Sequence, residues 1–288
     1  MAWARHALEF DEEETFAALE TGLTVNLIST FEPDLVTCEV EDDLVAVLTR
    51  PDAQDFDHLP VRRGGRIVGV LRRAELEQKL QTGDETQLPT KVAEAYKPLD
   101  DSTLITSNAG ILTFIESADL SPCRLVLTGH HVNGIVTISD LHRLPVRPVL
   151  FLLVTHLELL MAQNIGYVSK DNETWLSCLG KRRDKLESDW RQYNEENLEI
   201  DILTVSQFCD KREAIVKLLD LPMSRSEARR QLKDIEKLRN AVAHGSEYAQ
   251  TSERAEETIR TVKLARDWID RLAQLAREHP LKAHIRDD

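Results

Sequence analysis

The chain has 288 residues, 42% hydrophobic and 30% charged, with a formal net charge of −14; a length of this order predicts roughly two domains whose cores need no disulfide or metal staple. The acidic balance excludes a generic nucleic-acid binder, so any RNA contact has to come from a local basic patch. Cys38, Cys123, Cys178 and Cys209 stand far apart without a C-x-x-C pair, which signals neither a zinc site nor a disulfide framework and suits small buried thiols of a reducing, cytoplasmic compartment.

Residues 1–19 read as an acidic leading helix, with no signal-like apolar segment. Between 20 and 146, short β-branched runs alternate with short helical patterns. His58 to Leu71 reads as strand, Gly64-Gly65 turn, strand, and Arg124 to Thr137 repeats the pattern. A helix-like piece follows each hairpin, Ala74–Glu77 and Ser139–His142. An amphipathic stretch precedes each, Asp42–Thr49 and Asn108–Ser117. The two copies lie about 65 residues apart.

This doubled strand-helix-strand-strand-helix unit, with Leu59-Pro60-Val61 and Val68-Gly69-Val70, resembles a tandem pair of CBS motifs, an α/β module. Gly134-Ile135-Val136-Thr137-Ile138-Ser139-Asp140 matches the G-h-h-T-x-x-D pattern of its nucleotide-binding members. The resemblance implies an adenine nucleotide (AMP, ADP or ATP) as regulatory ligand. Asp140 would accept the ribose hydroxyls, and Thr137 would donate to a phosphate near the start of the next helix, with Gly134 opening the motif. The first copy departs from the pattern, with Arg72 for the hydroxyl and Glu75 for the aspartate. Either Glu75 still reaches a ribose, or Arg72 and Arg73 serve the phosphates of a nucleotide held by the second copy. The competing reading is a pair that binds nothing and only dimerises.

From 147 to 280 only helical periodicity remains, and 281–288 is a tail. Pro148 to Asn164 is apolar on nearly every face, which predicts deep burial or a subunit interface. Its most apolar part, Pro148–Met161, is too short to span a bilayer and contains His156 and Glu158. Trp175, Leu179, Leu186 and Trp190 outline a second helix, with Lys181-Arg182-Arg183 on its outer face. A Thr204/Gln207 capping box predicts a third helix from Val205 to about Leu219, broken by Leu221-Pro222. Ser224 and Glu227 predict the start of a fourth, with Leu232, Ile235, Leu238 and Val242 inward. A fifth runs from about Ser252 to Ala276. The expected fold class is therefore α+β, an α/β module followed by an all-α bundle.

The fourth helix ends in Arg239-Asn240-Ala241-Val242-Ala243-His244, followed by Gly245, a usual helix stop. A guanidinium fork fits phosphate oxygens, and histidine exchanges protons near neutral pH. The spacing resembles the R-N-x-x-x-H motif of HEPN domains, helical bundles many of which are dimeric ribonucleases; the resemblance covers about 147–278. It implies a composite site in a homodimer or higher oligomer. This agrees with the geometry, since residues five apart on one helix diverge by about 140°. His244 would move protons as a 2′-hydroxyl attacks its own phosphate, Arg239 would neutralise the phosphoryl oxygens, and Asn240 would orient His244 or bind phosphate. No metal is needed, and the products would be a 2′,3′-cyclic phosphate and a 5′-hydroxyl. His156 and Glu158 are candidate helpers. Arg225, Arg229, Lys233 and Lys237 form a basic stripe along which RNA could run. The competing reading of the motif is an ordinary helix end, with a basic residue favoured by the dipole and a capping histidine. The expected function is a cytoplasmic, nucleotide-regulated endoribonuclease of a defence or toxin setting, without a membrane partner. The alternative is a non-catalytic nucleotide-sensing dimer whose bundle is a partner-binding scaffold.

Overall fold

The computed structural model describes Phe16, Ala18 and residues 21–81, 89–169, 171–195 and 200–278. The rest of the predicted leading helix 1–19 and the tail 281–288 lie outside the described residues. The chain divides into two compact units. One holds the chain up to Val146 together with Ala249–Glu256, and the other holds Arg147–Tyr248 and the chain from Glu257 onward.

The first unit is a duplication. Its elements are β1 (Thr30–Phe31), β2 (Cys38–Glu39), α1 (Leu44–Thr49), β3 (His58–Arg63), β4 (Arg66–Arg72), α2 (Arg73–Gln81), β5 (Lys97–Pro98), β6 (Leu104–Thr106), α3 (Ile111–Ser117), β7 (Cys123–Thr128) and β8 (His131–Thr137), then a 3-10 turn at Ile138–His142. Two four-stranded sheets form, in the orders β2-β3-β4-β5 and β1-β8-β7-β6. Each sheet takes its last strand from the other copy: β1 pairs with β8, and β5 with β4. The exchange is reciprocal in detail, since Thr24 bridges Gly110 while Lys91 bridges Asp43. Even the irregularities repeat, with register shifts at Val61/Arg62 and Val126/Leu127. Neither copy closes its sheet alone, so the two fold as one body. The first hairpin turns through Gly64 and Gly65, both at positive φ, where a side chain would be strained.

Leu44, Val47 and Leu48 of α1 pack with Leu59, Val61 and Leu71 in one core. A second core joins Ile67 and Val70 of one sheet to Leu125 and Ile135 of the other. The Asp43 carboxylate caps α1 by accepting from Ala46 N–H at 2.9 Å.

The second unit is helical: α4 (Val146–Val168, from Arg147 on), α5 (Asn172–Leu176), α6 (Arg182–Glu195), α7 (Ile202–Val205), α8 (Phe208–Leu218), α9 (Arg225–Ala243) and α10 (Ser252–Glu278, from Glu257 on). The apolar run 148–161 belongs to a longer helix of 23 residues, long and apolar enough by length and composition to cross a membrane, although half of its most apolar window is buried in the protein. Leu150, Leu153, Leu157, Met161 and Ile165 line its inner face. Buried Asn164 donates to the Leu160 and Leu272 carbonyls, tying α4 to α10. The outer face leaves Phe151 and Leu159 44% and 37% exposed.

Three local expectations are corrected. Trp175 and Leu186 do not share one helix, because a 3-10 turn ends at Gly180, whose φ of 55° stops it. The third helix is two pieces: Asp201 caps α7, and the capping box of α8 is Gln207/Asp210 rather than Thr204/Gln207. The Lys181-Arg182-Arg183 run is not merely an outer decoration. Arg182 holds buried Asp210 through two bonds of 2.6 and 3.1 Å, and Arg183 pairs with Glu173 and Glu187. At α9 the expected cap forms, with the Ser224 hydroxyl accepting from Glu227 N–H at 3.2 Å.

Candidate functional sites

In the first unit the end of β8 and the turn after it open on a cavity of about 350 Å³. Val36, Pro60, Pro122 and Ile135 give it apolar walls, and Thr137, Asp140, Arg143 and His58 its polar ones. Asp140 is 8% exposed. Its Oδ2 accepts from Thr137 N–H at 2.7 Å and from the Thr137 hydroxyl at 3.2 Å, while Oδ1 meets Arg143 Nε at 2.9 Å. These bonds fix the carboxylate and occupy both lone pairs of Oδ2, leaving one on Oδ1. Burial pushes its pKa up despite the opposing Thr137 bonds and Arg143 charge. Arg143 also donates to the Ser29 carbonyl at 3.2 Å and to the Thr30 hydroxyl at 2.8 Å, so strand β1 is pinned to the same wall. Burial pushes the His58 pKa down, partly offset by Asp57.

Of the other nucleotide-site candidates, Gly134 does not line this cavity; it lies against Phe31, where a Cβ would meet the ring at 2.6 Å. Arg72 and Glu75 pair with each other, Arg72 Nη1 donating to Glu75 Oε1 at 2.8 Å, and neither lines the cavity. Thr137 and Asp140 are thus brought together, and the first-copy counterparts are closed on themselves. His58 and Arg143 were missed by sequence reasoning. Arg143 had a signal, three residues past Asp140 on a helical turn; His58 had none, since only pairing with Arg72 and the fold of the hairpin bring it there.

In the second unit α9 carries the Arg-Asn-His motif at its C-terminus. Gly245, at φ 73°, ends the helix. His244 N–H donates to the Asn240 carbonyl and Ser246 N–H to the Ala241 carbonyl, both at 3.0 Å, closing the last turn. Asn240 and His244 are exposed and Arg239 half-buried. Arg239 Nη1 lies 3.4 Å from Asn240 Oδ1, a weak bond, and among the described residues the His244 ring has no protein partner. Sequence reasoning missed Arg147, whose guanidinium donates to the Val242 carbonyl at 2.9 Å and lies 5.3 Å from the centre of the Tyr248 ring. It supports the helix end that carries His244.

The basic stripe is only partly open. Arg229 is bound by Glu213 at 3.1 Å and Lys237 by Asp234 at 2.7 Å. Arg225 reaches the Lys217 carbonyl at 3.4 Å, and Lys233 is exposed. Glu158 is held by buried Lys211 at 3.0 Å.

No family model and no curated protein matches the chain. Among solved structures it is similar to the CBS domain of a bacterial CNNM/CorC family Mg2+ transporter in complex with ATP, at 21% identity and a TM-score of 0.36, over 45% of this chain and 91% of that one. It is also similar to a CBS-domain hemolysin-like protein of Oenococcus oeni PSU, at 12% identity and a TM-score of 0.35, over 45% and 94%. A third is CBSX2 in complex with AMP, at 16% identity and a TM-score of 0.34, over 41% and 91%.

Proposed function

We propose that this chain is an adenine-nucleotide-regulated, metal-independent endoribonuclease, sensing through its first unit and cutting through its second. The observation that carries the sensing half is the cavity that joins Thr137 and Asp140 beneath apolar walls. A base fits between Val36 and Ile135, a ribose against Asp140, and a first phosphate near Thr137. The adenine preference comes from the CBS resemblance.

The nuclease half rests on Arg239, Asn240 and His244, grouped at one solvent-facing helix end. The imidazole is free to take a proton from a 2′-hydroxyl, and the guanidinium to neutralise a phosphate. Because Arg239 and His244 diverge around α9, two copies would complete one site. The exposed apolar side chains Phe151 and Leu159 supply a face for that dimer. One observation favours the scaffold alternative: Arg229 and Lys237, half of the basic stripe, are already ion-paired within the bundle.

Calorimetric titration tests the sensing half. AMP, ADP or ATP should bind the wild type and stabilise it by about 2.7 kcal/mol at a hundredfold excess over the dissociation constant. Asp140→Ala should abolish both effects. Absence of binding by all three nucleotides contradicts the reading.

A further inference from the structure

We infer that the cavity at Thr137 and Asp140 selects adenine ligands of low phosphate charge, adenosine and its monophosphate over the free triphosphate. The inference rests on the nucleotide-binding reading above and adds the class of ligand. Asp34, Asp55 and Asp57 line the same cavity as Asp140, giving it four carboxylates. One permanent cation, Arg143, faces them; three of its five N–H groups are taken, Nε–H by Asp140, one on Nη1 by the Ser29 carbonyl and one on Nη2 by the Thr30 hydroxyl. His58 supplies no dependable charge, since burial favours its neutral form.

A nucleoside places apolar surface and hydroxyls on this lining and brings no net charge. One phosphate can take the Thr137 hydroxyl proton in place of Asp140 Oδ2, which holds it at 3.2 Å. Each further phosphate adds negative charge near Asp34, Asp55 and Asp57, which are exposed and therefore repel through a high dielectric. At a separation of about 8 Å in water, each pair of a carboxylate and an added phosphate charge amounts to about twofold in affinity, and salt screens it. Among the described residues no trio of His, Cys, Asp or Glu is placed to hold a metal ion. Any compensating cation would therefore arrive on the nucleotide.

The test is a set of calorimetric titrations of the full chain with adenosine, AMP, ADP and ATP in EDTA at low ionic strength, repeated with Mg²⁺ and with the double variant Asp55→Asn, Asp57→Asn. The expected result is an affinity that falls about twofold or more at each step from AMP to ATP, recovers for ATP with Mg²⁺, and flattens in the double variant. ATP binding tighter than AMP in EDTA, or an unaltered series in a natively melting double variant, overturns the inference while leaving nucleotide binding intact. Failure of all four compounds to bind overturns the nucleotide reading and this inference with it.

Discussion

Gly69 and Gly134 hold corresponding positions in the two hairpins, and replacing each by alanine tests the strand exchange that builds the cavity. At Gly69 a Cβ would run into the backbone carbonyl of Lys97 and lie 2.5 Å from Tyr96 Cδ2. Relief requires moving β5, which is held to β4 through Gly69↔Pro98 and Val70↔Lys97. At Gly134 it would meet the Phe31 ring at 2.6 Å and the Thr30 carbonyl at 3.1 Å. The half-buried ring can turn, so the cost is smaller. We expect Gly69→Ala to destabilise by about 3 kcal/mol and Gly134→Ala by about 1 to 2 kcal/mol. In a chain of this size those losses lower the melting temperature by roughly 6–12 °C and 2–8 °C. Gly134→Ala should also weaken nucleotide binding, because it displaces Thr30, which Arg143 ties to Asp140. Gly166 in α4 is the control: a Cβ there meets nothing within 4 Å, and alanine should stabilise by about 1 kcal/mol. Thermal melts by circular dichroism measure all three. A Gly69→Ala protein melting within a degree of the wild type would refute the strand-exchange account.

Asp140 makes stability pH-dependent. Its folded pKa is raised by burial, so the folded state binds its proton more tightly than the unfolded chain does, and stability falls as pH rises through the window above the ordinary carboxylate value. Urea melts of Asp140→Asn should lack that component; an identical pH profile in variant and wild type would remove burial as the cause. Arg147→Ala leaves the Val242 carbonyl without its partner and removes the contact with Tyr248, and should cost about 1 to 3 kcal/mol in a thermal melt. Wild-type melting would show that this helix end needs no such support. In sedimentation the wild type should run as a homodimer or larger, and Phe151→Glu with Leu159→Glu as a monomer, since a charge on the outer face of α4 would oppose its burial. An active wild-type monomer would contradict the composite site.

The doubled unit was legible because its signals are local: Gly64-Gly65 names a hairpin, and Thr137 to Asp140 spells a motif on one turn. The strand exchange was not, since β1 and β5 are two residues long and take their place from pairing with the other copy. In the bundle the inward positions of α9 followed from period, and Ser224 from capping chemistry. Gly180 was read through because the apolar spacing continues across it. Thr204/Gln207 satisfied the capping-box pattern, yet Gln207/Asp210 won, since Asp210 is also held by Arg182 from another helix. The basic stripe looked free because Glu213, which binds Arg229, comes from α8 and not from the same helix. Local chemistry was readable; partners brought by tertiary packing were not.

The most direct test of the central claim is cleavage of an end-labelled RNA in EDTA by the wild type, Arg239→Ala and His244→Ala, with and without AMP. The account predicts that the wild type leaves 2′,3′-cyclic phosphate and 5′-hydroxyl ends at a rate that AMP changes. Both variants should melt like the wild type and cut nothing, and a strand lacking the 2′-hydroxyl at the cut site should stay whole. No cleavage by the wild type under either condition, a requirement for Mg²⁺, or undiminished cutting by either variant would contradict it.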